Sequence, residues 1–404
     1  MTVTASPAGA PRPTLTLILC FLAVVCEGID IQSMGLAAPR MAPALRLSRD
    51  QLGPLFSASI VGLLIGAVVL GRLADRVGRK PTLVLSLGIF GAFSLITAYV
   101  PSFGGLLAVR LAAGLGLGGA LPNLLALAAE AVAPEQRTRL VTQITCGMPL
   151  GGAIAGMVAA VLPWRDIFHL GGLAPLALAA VTAVALPESR AFVAARRDAA
   201  GPAAPAEPFL KILFGEGRAV STLLLWAASF GSLLCLYVML NWLPTLLGDK
   251  GMPKPQASQV AVAFNLGAVV GVTILARLLE GLRPRLTIAA WYAGLAGSLL
   301  VLAGVGPNFA GTAAAGCAAG FFISSAPLPL YGLAPGYYRV AIRGAGVGAS
   351  VAVGRLGAIV GPLIAASLLA AGSGATGVLL GLLPIAAIAG GSTLGLIGRP
   401  RLAA

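Results

Sequence analysis

The sequence predicts an all-α membrane protein: twelve transmembrane helices in two six-helix bundles. Three observations predict it. Mean hydropathy is +0.95. Hydrophobic residues make up 58 % of the 404 and charged residues only 10 %, where a soluble domain carries about 25 % charged residues. Apolar stretches of 20 or more residues recur along the chain, each long enough as helix to cross a hydrocarbon core of roughly 30 Å. Two short motifs also repeat at one offset of 205 residues: GRLAD (71–75) against ARLLE (276–280), and GGAIAG (151–156) against LGAIVG (356–361). One offset linking two separate pairs marks a duplicated bundle. A single large soluble core is the competing reading, and it would need polar breaks that this chain lacks.

The elements follow in order. Residues 1–14 form a tail; its one Arg and the long apolar segment after it do not make a cleavable leader. The first bundle, 15–187, is read as spans 15–38, 51–73, 81–100, 103–130, 139–162 and 166–187. Residues 188–218 are the longest polar stretch, with an Ala/Pro-rich flexible middle, and divide the spans six and six. Within them FLKILF (209–214) is placed along the membrane surface. The second bundle, 219–398, holds spans 219–247, 257–279, 285–305, 308–334, 341–371 and 375–398, and residues 399–404 form a short tail. Gly, Pro and charge mark most of the breaks. In span seven, NWLP (241–244) predicts a kink at Pro244.

An even number of spans puts both termini on one side. That side carries 19 of the 27 Lys and Arg residues and the other carries 6, with Arg110 and Arg355 inside spans. The positive-inside rule therefore expects both termini in the cytoplasm. The net charge of +14 is thus explained by topology and does not call for nucleic acid. The 54 Gly residues suit helices packed closely in lipid. The five Cys lie inside apolar spans without paired spacing, so neither a disulfide framework nor a metal site is expected.

GRLADRVGRK (71–80) joins spans two and three. Gly71 would permit close helix contact, and Asp75 stands among Arg72, Arg76, Arg79 and Lys80. The plain reading is a positive-inside anchor. The pattern G-x-x-x-D-R-x-G-R-K between the second and third spans also resembles the signature loop of the major facilitator superfamily. That resemblance implies a cytoplasmic latch made by Gly71, Asp75, Arg76 and Arg79 with the fourth and eleventh helices, and Glu130 matches the partner on span four. The second-half copy, ARLLEGLRPR (276–285), keeps an acid at Glu280 but loses the second Gly and gains Pro284.

RLAAGLGLGGALPN (110–123) contains G-x-G-x-x-G at Gly114, Gly116 and Gly119. Without a strand before it, the row is read as a close helix contact, not a dinucleotide loop. Arg110 lies inside the span, where an unpaired charge costs at least roughly 2.5–3.5 kcal/mol. Glu27 and Asp30 are spaced i, i+3 and share a helix face. Burial raises a carboxyl pKa and a nearby cation lowers it, so an acid pulled both ways can serve as a proton carrier; Arg110 is the candidate cation. A structural ion pair is the alternative, and a metal site lacks a His or a third carboxylate nearby. Arg355, midway along span eleven, has no deep acid in its own half. Its partner is either a first-half acid or an anionic ligand, and its planar fork suits a carboxylate. His169 is read as structural. Gln32, Asn123, Gln143, Tyr237, Asn241, Asn265, Ser324, Ser325 and Tyr331 are the polar groups that could line a cavity.

With EGIDIQ (27–32), GLGLGGALPNLLAL (114–127), LPES (186–189), NWLP and VAVGRLGA (351–358) in place, the chain resembles the aromatic acid/proton symporter family of that superfamily. It looks most like the 3-(3-hydroxyphenyl)propionate transporter branch. The family's first-helix D-G-x-D reads here Glu27-Gly28-Ile29-Asp30. The resemblance implies a non-enzymatic secondary transporter of the bacterial inner membrane. It implies that Glu27 and Asp30 couple protons, that Arg110 and Arg355 matter for transport, and that Glu130 belongs to the gate. The expected partners are a small aromatic carboxylate, protons and the lipid bilayer, with no cofactor beyond the proton gradient and a monomeric state. Arg110, Arg355, Gln32, Asn123, Tyr237, Asn241, Ser324 and Tyr331 are the expected substrate contacts. The rivals are a drug/proton antiporter of the same fold, for which CGMPLGG (146–152) only approximates the G-P-x-x-G-G element, and a symporter of another acid such as a benzoate or muconate.

Overall fold

The computed structural model describes residues 13–133, 140, 143–189, 192–193, 208–281, 283–339 and 342–400. Twelve helices among them are long and apolar enough to cross a membrane. We number them α1 (Pro13–Ala44), α2 (Arg49–Val77), α3 (Arg79–Thr97), α4 (Phe103–Glu130), α5 (Gly147–Val161), α6 (Trp164–Ala185), α7 (Ala219–Asp249), α8 (Lys254–Gly281), α9 (Pro284–Gly304), α10 (Phe309–Ile323), α11 (Arg343–Ala370) and α12 (Gly374–Ile397). α1 starts and α12 ends on one face, here the near face; the opposite face is the far face. The near-face tails, residues 190–191 and the middle of the linker fall outside the described residues. FLKILF forms a short helix, Phe209–Phe214, docked through Ile212 and Leu213 with Phe209 and Leu210 exposed.

Helix packing repeats between the halves. α2 lies on α4 as α8 lies on α10; α1 on α5 as α7 on α11; α3 on α6 as α9 on α12. Shifting α2 by the sequence offset of 205 gives 254–282, against 254–281 observed for α8. The halves meet where α2 packs on α11 and α5 on α8, which is the crossing that a two-fold axis along the membrane normal produces. Apolar side chains on the outside, such as Val161, Val184 and Ile388, are exposed. In lipid they are solvated, and the helices keep every backbone polar group bonded internally.

Glycines set the closest approaches. A Cβ on Gly114 would collide with the Ser59 carbonyl on α2, and one on Gly116 or Gly119 with α3 at Phe90 or Ser86. The glycine row of α4 is thus a packing surface, as its sequence predicts. Gly71 differs from expectation: nothing lies within 4 Å of where its Cβ would be. Among the described residues no close helix contact exists there.

The tenth span is broken, although the sequence suggests one continuous segment. α10 stops at Ile323, residues 324–327 turn, and a short helix, Leu328–Leu333, runs into a 3-10 turn, Ala334–Tyr337. Pro327 and Pro329 lack the backbone donors that one continuous helix would need, and they sit instead at the cap and in the first turn of the new helix, where no donor is required. Ser325 holds the break, donating to the Phe321 carbonyl (2.6 Å) and accepting from Trp291 Nε1 (2.7 Å). Pro244, by contrast, sits within an uninterrupted α7.

Candidate transport site

α1 places Glu27 and Asp30 near mid-membrane, and the neighbouring helices give them different surroundings. Asp30 meets Arg110 of α4 in a two-pronged pair: Nη1 donates to Oδ1 (3.0 Å) and Nη2 to Oδ2 (2.9 Å). Nη2 also donates to the Asp30 carbonyl (3.2 Å) and Nε to Ser59 Oγ (2.9 Å). Four of the five guanidinium N–H donors are therefore used. The side chains are 0 % and 1 % exposed, and Phe168 lies beneath the guanidinium. The pair is sealed inside the first half, and its geometry does not present Arg110 to a ligand.

Glu27 has no such partner. It is buried, and neither carboxylate oxygen accepts a hydrogen bond. The charges that act on it are Arg355, from the other half, and Asp30. Arg355 donates from Nη1 to Tyr237 Oη (2.7 Å). Among the described residues, no carboxylate lies within ion-pair distance of its guanidinium. Tyr331, beyond the break in the tenth span, is 50 % exposed and belongs to the same electrostatic group as Arg355 and Tyr237. The arrangement is a buried acid and a partly open cation facing each other across the two halves, with phenols around the cation.

The other expected contacts divide. Gln32 and Asn265 exchange amide hydrogen bonds across the halves (2.9 and 2.8 Å), so both are committed to closure here. Asn123 donates to the Gly119 carbonyl (2.7 Å) and Asn241 to the Tyr237 carbonyl (2.8 Å), each within its own helix. Ser324 caps the end of α10, and Gln143 is exposed at the start of the fifth span. His169 bridges Asp166 and Tyr99 at 3.0 Å each, toward the far face and away from Glu27 and Arg355.

The near-face charges form a cluster within the first half. Arg79 Nη1 pairs with Glu130 Oε1 (2.6 Å), which also accepts from Ser189 Oγ (2.7 Å). Glu188 Oε1 accepts from the backbone N–H groups of Arg79 (2.9 Å), Lys80 (3.1 Å) and Ser189 (2.8 Å). It thereby caps α3, which has no side-chain cap of its own after Gly78 (φ +112°). Sequence reasoning missed Glu188 and Ser189 as members of this cluster; the signal was LPES lying opposite a helix start without a cap. Asp75, Arg76 and Glu280 are exposed, and among the described residues none forms an ion pair. Among the described residues the part of the latch expected to reach α11 makes no ion pair with it.

Contacts between the halves lie from mid-membrane to the far face. Gln32–Asn265 and Ser57 Oγ to the Ile359 carbonyl (2.7 Å) close the middle. Phe56 stacks edge-on against Trp242, with centroids 5.1 Å apart. At the far end Arg49 grips Asp249 with two bonds of 2.9 and 2.8 Å. Among the described residues, hydrogen bonds and an ion pair join the halves from the middle to the far face, and none joins them on the near face.

The Major Facilitator Superfamily profile matches residues 20–362. The chain belongs to the major facilitator superfamily. This facilitator is 44 % identical over 382 residues to the 3-(3-hydroxy-phenyl)propionate transporter of Escherichia coli, covering 94 % of this chain and 93 % of the relative. It is 36 % identical over 388 residues to the gallate transporter of Pseudomonas putida, covering 89 % and 86 %. It is 34 % identical over 422 residues to the 4-hydroxybenzoate transporter PcaK of Pseudomonas aeruginosa, covering 95 % and 92 %. Among solved structures it shares its fold with a D-xylose-proton symporter (TM-score 0.74, 15 % identity, 95 % and 97 % covered). The same holds for an inward-facing bacterial homologue of the lysosomal transporter Spinster (TM-score 0.72, 16 % identity, 97 % and 95 % covered). The family expected from the signature loop and EGIDIQ is confirmed, and with it an integral, multi-pass membrane protein.

Proposed function

We propose that this chain imports a hydroxylated aromatic carboxylate together with a proton across the bacterial inner membrane. 3-(3-Hydroxyphenyl)propionate is the first candidate cargo. The chain acts as a monomer with both termini in the cytoplasm and needs no cofactor beyond the proton gradient. The observation that carries this reading is Arg355: a mid-membrane guanidinium held by Tyr237 and given no carboxylate by the described residues. The names of the relatives point to the same cargo class.

Glu27 supplies the coupling. Its carboxylate and that of the cargo compete for one guanidinium. When Glu27 is protonated, Arg355 is left to the cargo, through two parallel hydrogen bonds. When Glu27 is ionised, it draws Arg355 back and the cargo leaves. With the far face open, Glu27 takes a proton and the acid docks. Closure at Arg49–Asp249 and opening of the near face then release both. The asymmetry of 19 against 6 cations supports a cytoplasmic near face, and an inward proton gradient then drives the cargo inward.

Purified protein in vesicles, given an inside-alkaline gradient and labelled 3-(3-hydroxyphenyl)propionate, should accumulate the acid above its external concentration. No accumulation, or accumulation indifferent to the gradient, rejects symport. Benzoate and muconate in the same assay rank the cargo.

A further inference from the structure

A small pocket lies between α7, the broken tenth span and α11, on the near-face side of the Arg355–Tyr237 pair. It is lined by Ser229 and Leu233 on α7, Tyr331 beyond the break in the tenth span, and Val347, Ser350 and Val351 on α11. Leu233 is one turn from Tyr237, and Val351 one turn from Arg355. The walls are aliphatic apart from the exposed Tyr331 phenol and the two serines.

Those serines differ from the hydroxyls that bond within their own helix, and from Ser57 and Ser232, whose cross-helix partners are a carbonyl and a tyrosine. Thr273, Ser367 and Thr393 each donate to the carbonyl four residues earlier (2.8, 3.0 and 2.8 Å), the usual fate of a hydroxyl in an apolar helix. Ser229 and Ser350 instead face each other across two helices, Oγ to Oγ 3.1 Å, both buried. One such contact uses a single proton. The pair keeps one uncommitted O–H and several lone pairs at the side of an otherwise apolar pocket. Ser350 and Arg355 are five residues apart on one helix, about 7.5 Å along its axis. Five residues also turn the helix by about 140°; Val351, one turn before Arg355, lines the pocket between them, and the axial rise is the scale of an aryl acid with its carboxylate at one end and a ring substituent at the other.

We propose that the Ser229–Ser350 pair reads a ring hydroxyl of the cargo, while the aliphatic walls and Tyr331 hold the ring. This assignment rests on the aromatic-acid reading above and adds the specificity end of the site. A site that offers a buried hydrogen-bonding group disfavours the analogue that cannot use it.

The test is transport by the full chain in vesicles, comparing 3-(3-hydroxyphenyl)propionate with 3-phenylpropionate in wild type, Ser229→Ala, Ser350→Ala and the double variant. Wild type should favour the hydroxylated acid on the order of tenfold in KM, the scale of one hydrogen bond. In the double variant the KM for the hydroxylated acid should rise until the ratio is near one. 3-Phenylpropionate, which has no hydroxyl to read, reports whether each variant still folds and moves cargo. A ratio unchanged in the double variant, an equal loss for both acids, or no preference in wild type overturns the serine assignment alone. If wild type carries neither acid, the aromatic-acid reading falls and takes this one with it.

Discussion

Glu27 and Asp30 share one face of α1, yet one is sealed against Arg110 and the other has no hydrogen-bond partner. Substitutions should separate them. Asp30→Asn leaves Arg110 buried without its counter-charge, a loss of about 3–5 kcal/mol. A clear drop in thermal midpoint in detergent is expected, partly recovered in Asp30→Asn/Arg110→Gln; an unchanged midpoint refutes the sealed pair. Glu27→Gln should instead fold normally, lose gradient-driven accumulation and keep exchange of cargo across the membrane; continued accumulation would remove Glu27 from the coupling step. Arg355→Ala should weaken binding of the acid by roughly 10- to 100-fold, the scale of a charged hydrogen bond, with little change for the neutral amide; equal losses would exclude carboxylate recognition. That these four residues need partners was legible, because a charge in an apolar span demands a reason. Which acid meets which cation was not, since i, i+3 spacing does not say which helix covers each position. Ser229 and Ser350 gave no signal at all, serine being common in spans.

Helices were legible from apolar length, but their ends depended on partners far away in sequence. α3 begins at a glycine with positive φ and borrows its cap from Glu188, 109 residues from Arg79. Glu188→Ala should cost about 0.5–2 kcal/mol and raise amide exchange at Arg79 and Lys80 while the middle of α3 stays protected. Uniform exchange along α3 would show that the cap is dispensable. The tenth span illustrates the opposite limit. SSAPLPL (324–330) carries its breakers in plain view, yet total hydropathy over 308–334 masked them. The break sets Tyr331 against the pocket and separates it from the membrane-spanning part of α10.

The repeat at 205 residues foretold two similar halves and therefore two faces, but the resting state of the molecule is a balance no single segment encodes. Here it closes at Arg49–Asp249, Ser57–Ile359 and Gln32–Asn265 and leaves Gly71, Asp75 and Arg76 without the second half. The far-face ion pair is accessible, with side chains 53 % and 21 % exposed, so its contribution is at most about 1 kcal/mol. Arg49→Ala should shift the two facing states by up to about fivefold toward the far-open form. A cysteine reporter in the central cavity should then label faster from outside; an unaltered rate would mean the apolar contacts alone hold the far side shut.

Because Arg49 and Asp249 meet in contact with the medium on the far side, dissolved ions reach them and weaken their attraction. The buried Gln32–Asn265 exchange is uncharged and indifferent to electrolyte. Salinity on the far side therefore tilts how long the molecule waits with that side shut. The rate at which the two faces alternate would then follow the ionic strength of the solution that bathes this pair.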